Sequence, residues 1–218
     1  MSELLDSATR TDKPDDRRIY GVVLAQVIDI CDNSKLGRVQ LRLPWLPGYE
    51  PWARVASLAA GSDSGLFFIP QKDEEVLVAF NHGDVREPYI VGCVWNDKDK
   101  APKEAAKDPK NKRLIRTPAG HEIEFDDATG TVVIKSAKGQ HIVMGPDKIE
   151  INLDEQKTTA ITLEKGGNLT IKASNTITLD APTINVSARD NVAIGGSKSA
   201  RIDGGSNCTI NAGQIFIG

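Results

Sequence analysis

Large side chains are scarce in this 218-residue chain: aromatics make up 5% and methionines number two. A thick core along the whole length is therefore not expected. Cysteine is rarer than a disulfide framework needs. Cys31, Cys93 and Cys208 are odd in number and far apart, which excludes both a stapled scaffold and a cysteine-based zinc site and points to the reducing cytosol. No apolar run approaches the roughly 20 residues of a spanning helix. Residues 1–16 are polar apart from Leu4 and Leu5 and carry Pro14 and five acidic side chains. They are expected to form a mobile tail and not a secretory signal. Charged residues reach 26% but sum to only −3, so bulk charge gives no reason to expect nucleic acid or an anionic membrane as partner.

The aromatic residues that exist are unevenly placed. Every tryptophan (Trp45, Trp52, Trp95) and tyrosine (Tyr20, Tyr49, Tyr89) precedes residue 96, and only Phe125 and Phe216 follow it. Two architectures thus share the chain. Between them, residues 97–113 have eleven charged side chains in seventeen, with Pro102 and Pro109, and read as a solvated linker with a short helix around Glu104 to Ala106. Residues 17–96 show five or six short strands separated by turn residues. The clearest places Val39, Leu41 and Leu43 on one face and Arg38, Gln40 and Arg42 on the other. Residues 66–69 also read as a strand. With no room for crossover helices, a small antiparallel barrel is expected.

Residues 114–218 follow another rule. Apolar-x-apolar-x-small recurs, from Leu169-x-Ile171-x-Ala173 to Cys208-x-Ile210-x-Ala212, and ends in Ile215-x-Ile217-Gly218. The second apolar positions fall at 171, 179, 186, 194, 202, 210 and 217, so each step is eight or seven residues. That period suits one short strand and one bend, and is too short for a helical solenoid. Two buried apolar side chains contribute roughly 1.5–3 kcal/mol each. Ordering eight residues costs on the order of 8–16 kcal/mol. A lone strand of this kind cannot hold itself, and its edges need partners. Two arrangements close them: a single-chain parallel β-helix with about three strands per coil, or an intertwined homotrimer in which every octad meets its copies. Recurrence of side chains of similar size at each layer favours the trimer. Ile171, Leu179, Val186, Ile194, Ile202 and Ile210 then form its axial core.

The first half carries an ordered series of short motifs: Pro44-Trp45, Trp52-Ala53-Arg54-Val55, Ala60-Gly61, Gly65-Leu66-Phe67-Phe68-Ile69-Pro70, Glu74-Glu75-Val76-Leu77-Val78-Ala79-Phe80, His82-Gly83-Asp84, Pro88 and Gly92. The series resembles the OB-fold domain of the contractile-tail spike family, which includes phage baseplate protein V and the VgrG proteins of type VI secretion. Thr117-Pro118-Ala119-Gly120-His121-Glu122-Ile123 is similar to that family's entry into a triple-stranded β-helix. One departure is Gln71-Lys72-Asp73, where the family usually has an acidic residue and a glycine. The resemblance implies an all-β chain, with an OB-fold barrel at 17–96 and a trimeric β-helical needle at 114–218. It implies a structural central spike that punctures a membrane only transiently, and that resides in bacterial cytoplasm during assembly and then inside a contractile particle. A separate hub protein is expected at the barrel end, because 16 residues cannot supply the hub region of VgrG proteins. A PAAR-repeat tip protein is expected on Ile215, Phe216, Ile217 and Gly218, which form a blunt apolar end when triplicated. A 17-residue linker leaves no space for a lysozyme domain.

Other residue groups have plainer readings. His82-Gly83-Asp84 suits a turn better than an acid–base pair, with no nucleophile beside it. Glu122, Glu124 and Asp126 share one strand face, and Asp126 to Gly130 is a turn. His121 has the parity of Ile123 and Phe125, and His141 is isolated; the His-x-His spacing of an iron-bound spike tip is absent. No catalytic residue, metal or cofactor is expected. The alternative reading is an OB module for nucleic acid or glycan on a β-helical stalk. The stretch from Arg38 to Leu43 has arginines without a paired aromatic, which counts against it. A single-chain β-helical lyase or esterase would need acids at one coil interval, and Asp154, Asp180, Asp190 and Asp203 do not keep one.

Overall fold

A computed structural model describes residues 18–214. The expected N-terminal tail and the tip-docking residues Ile215, Phe216, Ile217 and Gly218 lie outside the described residues.

The first unit is built from β1 (Val23–Asp29), β2 (Val39–Arg42), β3 (Trp52–Val55), the small hairpin β4 (Ala60–Gly61) and β5 (Ser64–Gly65), β6 (Glu75–Phe80) and β7 (Pro88–Cys93). Five of these close into a barrel in the order β1-β2-β3-β7-β6, with β6 returning to β1 and β3 lying parallel to β7. Alternation determines the inside. Val39, Leu41 and Leu43 are buried with Ala25, Val27, Ala53, Val76, Val78 and Ile90, while Arg38, Gln40 and Arg42 stay outside. A register shift between β6 and β7 at Leu77/Val78 bends the wall there. Residues 66–69 are not a strand. Ser57 Oγ donates to the Leu66 carbonyl (2.6 Å) and the Leu66 N–H donates to the Ala59 carbonyl, so this backbone is tied to the hairpin base and not to the barrel. The turn at the departure from the family pattern also has a cause. Asp73 sits at φ 73°, the left-handed region that glycine adopts most readily.

A helical turn, α1 (Lys103–Lys107), crosses the charged segment. Seven strands follow: β8 (Lys112–Arg116), β9 (Glu122–Asp126), β10 (Thr131–Lys135), β11 (His141–Met144), β12 (Lys148–Asn152), β13 (Ala160–Glu164) and β14 (Leu169–Lys172). They form one antiparallel meander in chain order, each strand bonded to its sequence neighbour. A parallel coil does not describe residues 112–172. Residues 173–214 form no strand and carry bends or turns at 174–175, 182, 189–190, 197–198, 205–206 and 213. The bends fall at the repeat's own interval. Two are tight: a Cβ added to Gly196 would sit 2.4 Å from the Ser199 carbonyl oxygen, and one added to Gly204 would sit 2.2 Å from that of Asn207. The small position of each octad thus lies where the backbone folds back on itself.

Candidate functional site: an apolar face without a partner

Strand register lines up one residue type across the whole meander. Ile115 opposes Ile123, Ile123 opposes Ile134, and the ladder continues through Ile142, Ile151 and Ile161 to Ile171. Two residues along each strand runs a parallel row of Phe125, Val132, Met144, Ile149, Leu163 and Leu169. Because side chains alternate, both rows share one face of the sheet. The isoleucine ladder floors an open trough of about 870 Å³, which Phe68 of the barrel unit also lines. Thr117, His121, Ser136, Gln140 and Thr159 give the trough a polar margin.

The opposite face is charged and internally paired. Lys112 bridges Glu124 (2.5 Å) and Asp126 (3.1 Å), Arg116 bonds Glu122 and Glu104, and Glu150 takes Lys157 (2.9 Å) and Lys148 (3.2 Å). Hydrogen bonds to Glu124 and then Asp126 raise the Lys112 ammonium, while Lys112 lowers Asp126 and Lys157 lowers Glu150. The carboxylates at 122, 124 and 126 do share a face, and each is taken up by a cation. Asp126 Oδ1 also accepts the Ala128 and Thr129 N–H groups, which closes the expected turn. Among the described residues no group of three or more His, Cys, Asp and Glu is arranged to hold a metal ion.

The other singled-out groups stay apart. His82 occupies a 3₁₀ turn at Asn81–Gly83, and Asp84 is held by Arg86 (2.6 Å), whose hydrogen bond lowers its carboxyl to about 2. His121 Nδ1 accepts the Ala137 N–H at 3.4 Å. His141 pairs through Nδ1 with the Gly139 carbonyl (2.8 Å) and through Nε2 with Asn152 (3.2 Å). None of the three histidines forms a pair with another.

The apolar pattern does not stop at β14. Ile171, Leu179, Val186, Ile194, Ile202 and Ile210 remain between 52% and 75% exposed, and Leu169, Ile177, Ile184 and Val192 beside them are about half exposed or more. Sequence reasoning began this row at 169 and missed its first half. Pairs such as Ile123/Phe125, Val132/Ile134 and Ile161/Leu163 carry the same apolar-x-apolar signature, hidden by longer and less regular turns. The paired face runs from Ile115 to Ile171, and the same apolar-x-apolar side chains stay exposed along the unpaired residues as far as Ile210. Exposed apolar surface on that scale marks an interface. The chain is thus an all-β protein that joins a closed barrel to a sheet with a large unpartnered apolar face.

Comparison with known proteins agrees. Residues 23–95 match the type VI secretion system/phage-baseplate injector OB domain. Over 143 residues the chain is 32% identical to the type VI secretion system spike protein VgrG3 of Vibrio cholerae, which covers 59% of this chain and 14% of that protein. It is 33% identical over 112 residues to the spike protein VgrG5 of Pseudomonas aeruginosa, covering 46% and 14%. The spike protein VgrG1b of the same organism is 30% identical over 142 residues, covering 58% and 19%. The chain therefore spans under a fifth of the length of these relatives. Residues 23–95 thus match the injector OB domain, and the aligned stretches are similar to VgrG-type spike proteins.

Proposed function

We propose that the chain is one third of a non-enzymatic central spike, the puncturing needle of a contractile injection system. In this reading residues 17–96 form the barrel, 97–113 the connector, and 114–218 a triple-stranded β-helix shared by three copies. The observation that carries it is the isoleucine ladder from Ile115 to Ile171, followed by exposed apolar side chains as far as Ile210, which a single chain leaves open. Three copies turn that face toward one axis, each covering the edges of the next. A prism without free edges resists local opening, so thrust from a contracting sheath passes along it without buckling. Ile171, Leu179, Val186, Ile194, Ile202 and Ile210 serve as axial core. The barrel end meets a hub, and Ile215, Phe216, Ile217 and Gly218 dock a PAAR-repeat tip. The spike assembles in bacterial cytoplasm and leaves it inside the particle.

An epitope-tagged chain tests the role. It is expected in the culture medium of cells with an intact sheath, and absent from the medium when the sheath gene is deleted. Release independent of the sheath would overturn the needle reading. Removal of residues 215–218 is expected to leave the assembly intact and abolish capture of a co-expressed tip protein; retained capture would refute the docking site.

A further inference from the structure

The barrel's outer wall carries a feature that the needle does not use. Arg38 precedes β2, Trp52 and Arg54 lie on β3, Tyr89 lies on β7, and Arg86 lies on the β6–β7 connection; together they line a cleft of about 320 Å³. These are the middle strands and the loop that OB folds use for ligands. The sequence reading found arginines here with no paired aromatic, and the fold corrects this by supplying the rings from neighbouring strands. The Arg38 guanidinium lies 5.8 Å from the Trp52 ring centroid, and that of Arg54 lies 5.9 Å from the Tyr89 centroid. Each guanidinium is thus within cation–π reach of a ring.

The three cations differ in what already occupies them. Arg38 is bound to Asp32 (3.0 Å), whose side chain is 5% exposed and which also accepts N–H groups from Ser34, Leu36 and Arg38. Arg86 is bound to Asp84. Glu87, on the rim, accepts from Asn81. Arg54 alone of the three has no carboxylate partner among the described residues. It is exposed, lies beside Tyr89, and sits two residues along β3 from half-buried Trp52.

We infer that this cleft docks an acidic peptide segment of a partner protein, with one Asp or Glu carboxylate bound by the Arg54 fork and a neighbouring apolar residue covering Trp52. A guanidinium without a carboxylate of its own matches an incoming carboxylate bidentately. A nucleic-acid strand fits less well. Phosphodiester binding needs several open cations along a groove, and here Asp32 and Asp84 already hold Arg38 and Arg86, which leaves Arg54 for a single carboxylate. The inference stands on the barrel alone and holds whether or not the chain assembles through its apolar face.

Selection of a displayed library of random peptides on the immobilised full-length chain tests it, with Arg54→Ala as counter-selection and a fluorescent oligo-dT strand as a second probe. Peptides carrying Asp or Glu beside an apolar residue are expected to be enriched. Their affinity should fall about tenfold or more in Arg54→Ala, recover only partly in Arg54→Lys, and vanish when the acid is replaced by its amide. Thermal melting of both variants should match the parent, because Arg54 is exposed. Absence of enrichment over Arg54→Ala, enriched peptides without acids, or Arg54-dependent binding of oligo-dT in preference to the peptides would each overturn it.

Discussion

Ile151 sits mid-ladder on β12, between Ile142 and Ile161, with 42% of its surface open. Full burial of such a side chain contributes roughly 1.5–3 kcal/mol. Sealing the open two fifths against neighbouring copies thus yields about 1 kcal/mol per chain and about 3 kcal/mol per trimer. Ile151→Asp removes that gain and gathers three carboxylates around one axis. Each must lose water or take up a proton, at a cost of several kcal/mol. The sum is on the order of 10 kcal/mol against assembly, several powers of ten in concentration. Thr170→Asp is the matched control, since Thr170 lies on the opposite face across from Thr162. Sedimentation velocity should show Ile151→Asp as a single chain or an aggregate, and Thr170→Asp sedimenting as the parent does. An Ile151→Asp variant that assembles like the parent would mean that the isoleucine ladder does not face the other copies.

Gly204→Ala should lower the melting temperature of the assembled needle, because the new methyl meets the Asn207 carbonyl at 2.2 Å and must unbend a corner of the octad; an unchanged melting curve would mean the corner is loose. Asp73→Gly should raise the barrel's stability by about 0.5–1 kcal/mol, since Asp73 holds φ 73° at the cost of Cβ crowding, and denaturant titration checks the sign. Asp32 is held well below its ordinary value of 3.8 by the Arg38 hydrogen bond, then by Ser34. Its folded value lies under its unfolded one, so its contribution is complete above about pH 4 and fades as pH drops toward the folded value. Asp32→Asn should therefore be less stable than the parent near neutrality, with a smaller loss on acidification. Parallel stability-versus-pH curves would contradict this.

Local alternation made much of the molecule legible. Val39, Leu41 and Leu43 announced a barrel strand because their period of two is a property of five consecutive residues. The octads announced themselves because their bends recur at a fixed interval, and the bends at 182, 189–190, 197–198 and 205–206 directly follow the small residues Ala181, Ala188, Gly196 and Gly204. What escaped depended on pairing between distant positions. Ile115 and Ile123 look unrelated in sequence until the β8–β9 register sets them side by side. Trp52 reaches Arg38, and Tyr89 reaches Arg54, only through the β2-β3-β7 order, in which β3 joins β7 across an intervening hairpin and strand. The segment at 66–69 misled for the opposite reason. Its apolar run is strand-like, yet its backbone is committed to Ser57 and Ala59, and Phe67 and Phe68 remain exposed.

All of this leads to a native mass spectrum of the intact chain at neutral pH. Three copies of a 23.6 kDa chain, about 71 kDa, are what an apolar face shared around one axis requires. A monodisperse 23.6 kDa species that keeps its Ile115-to-Ile210 face in water would contradict it.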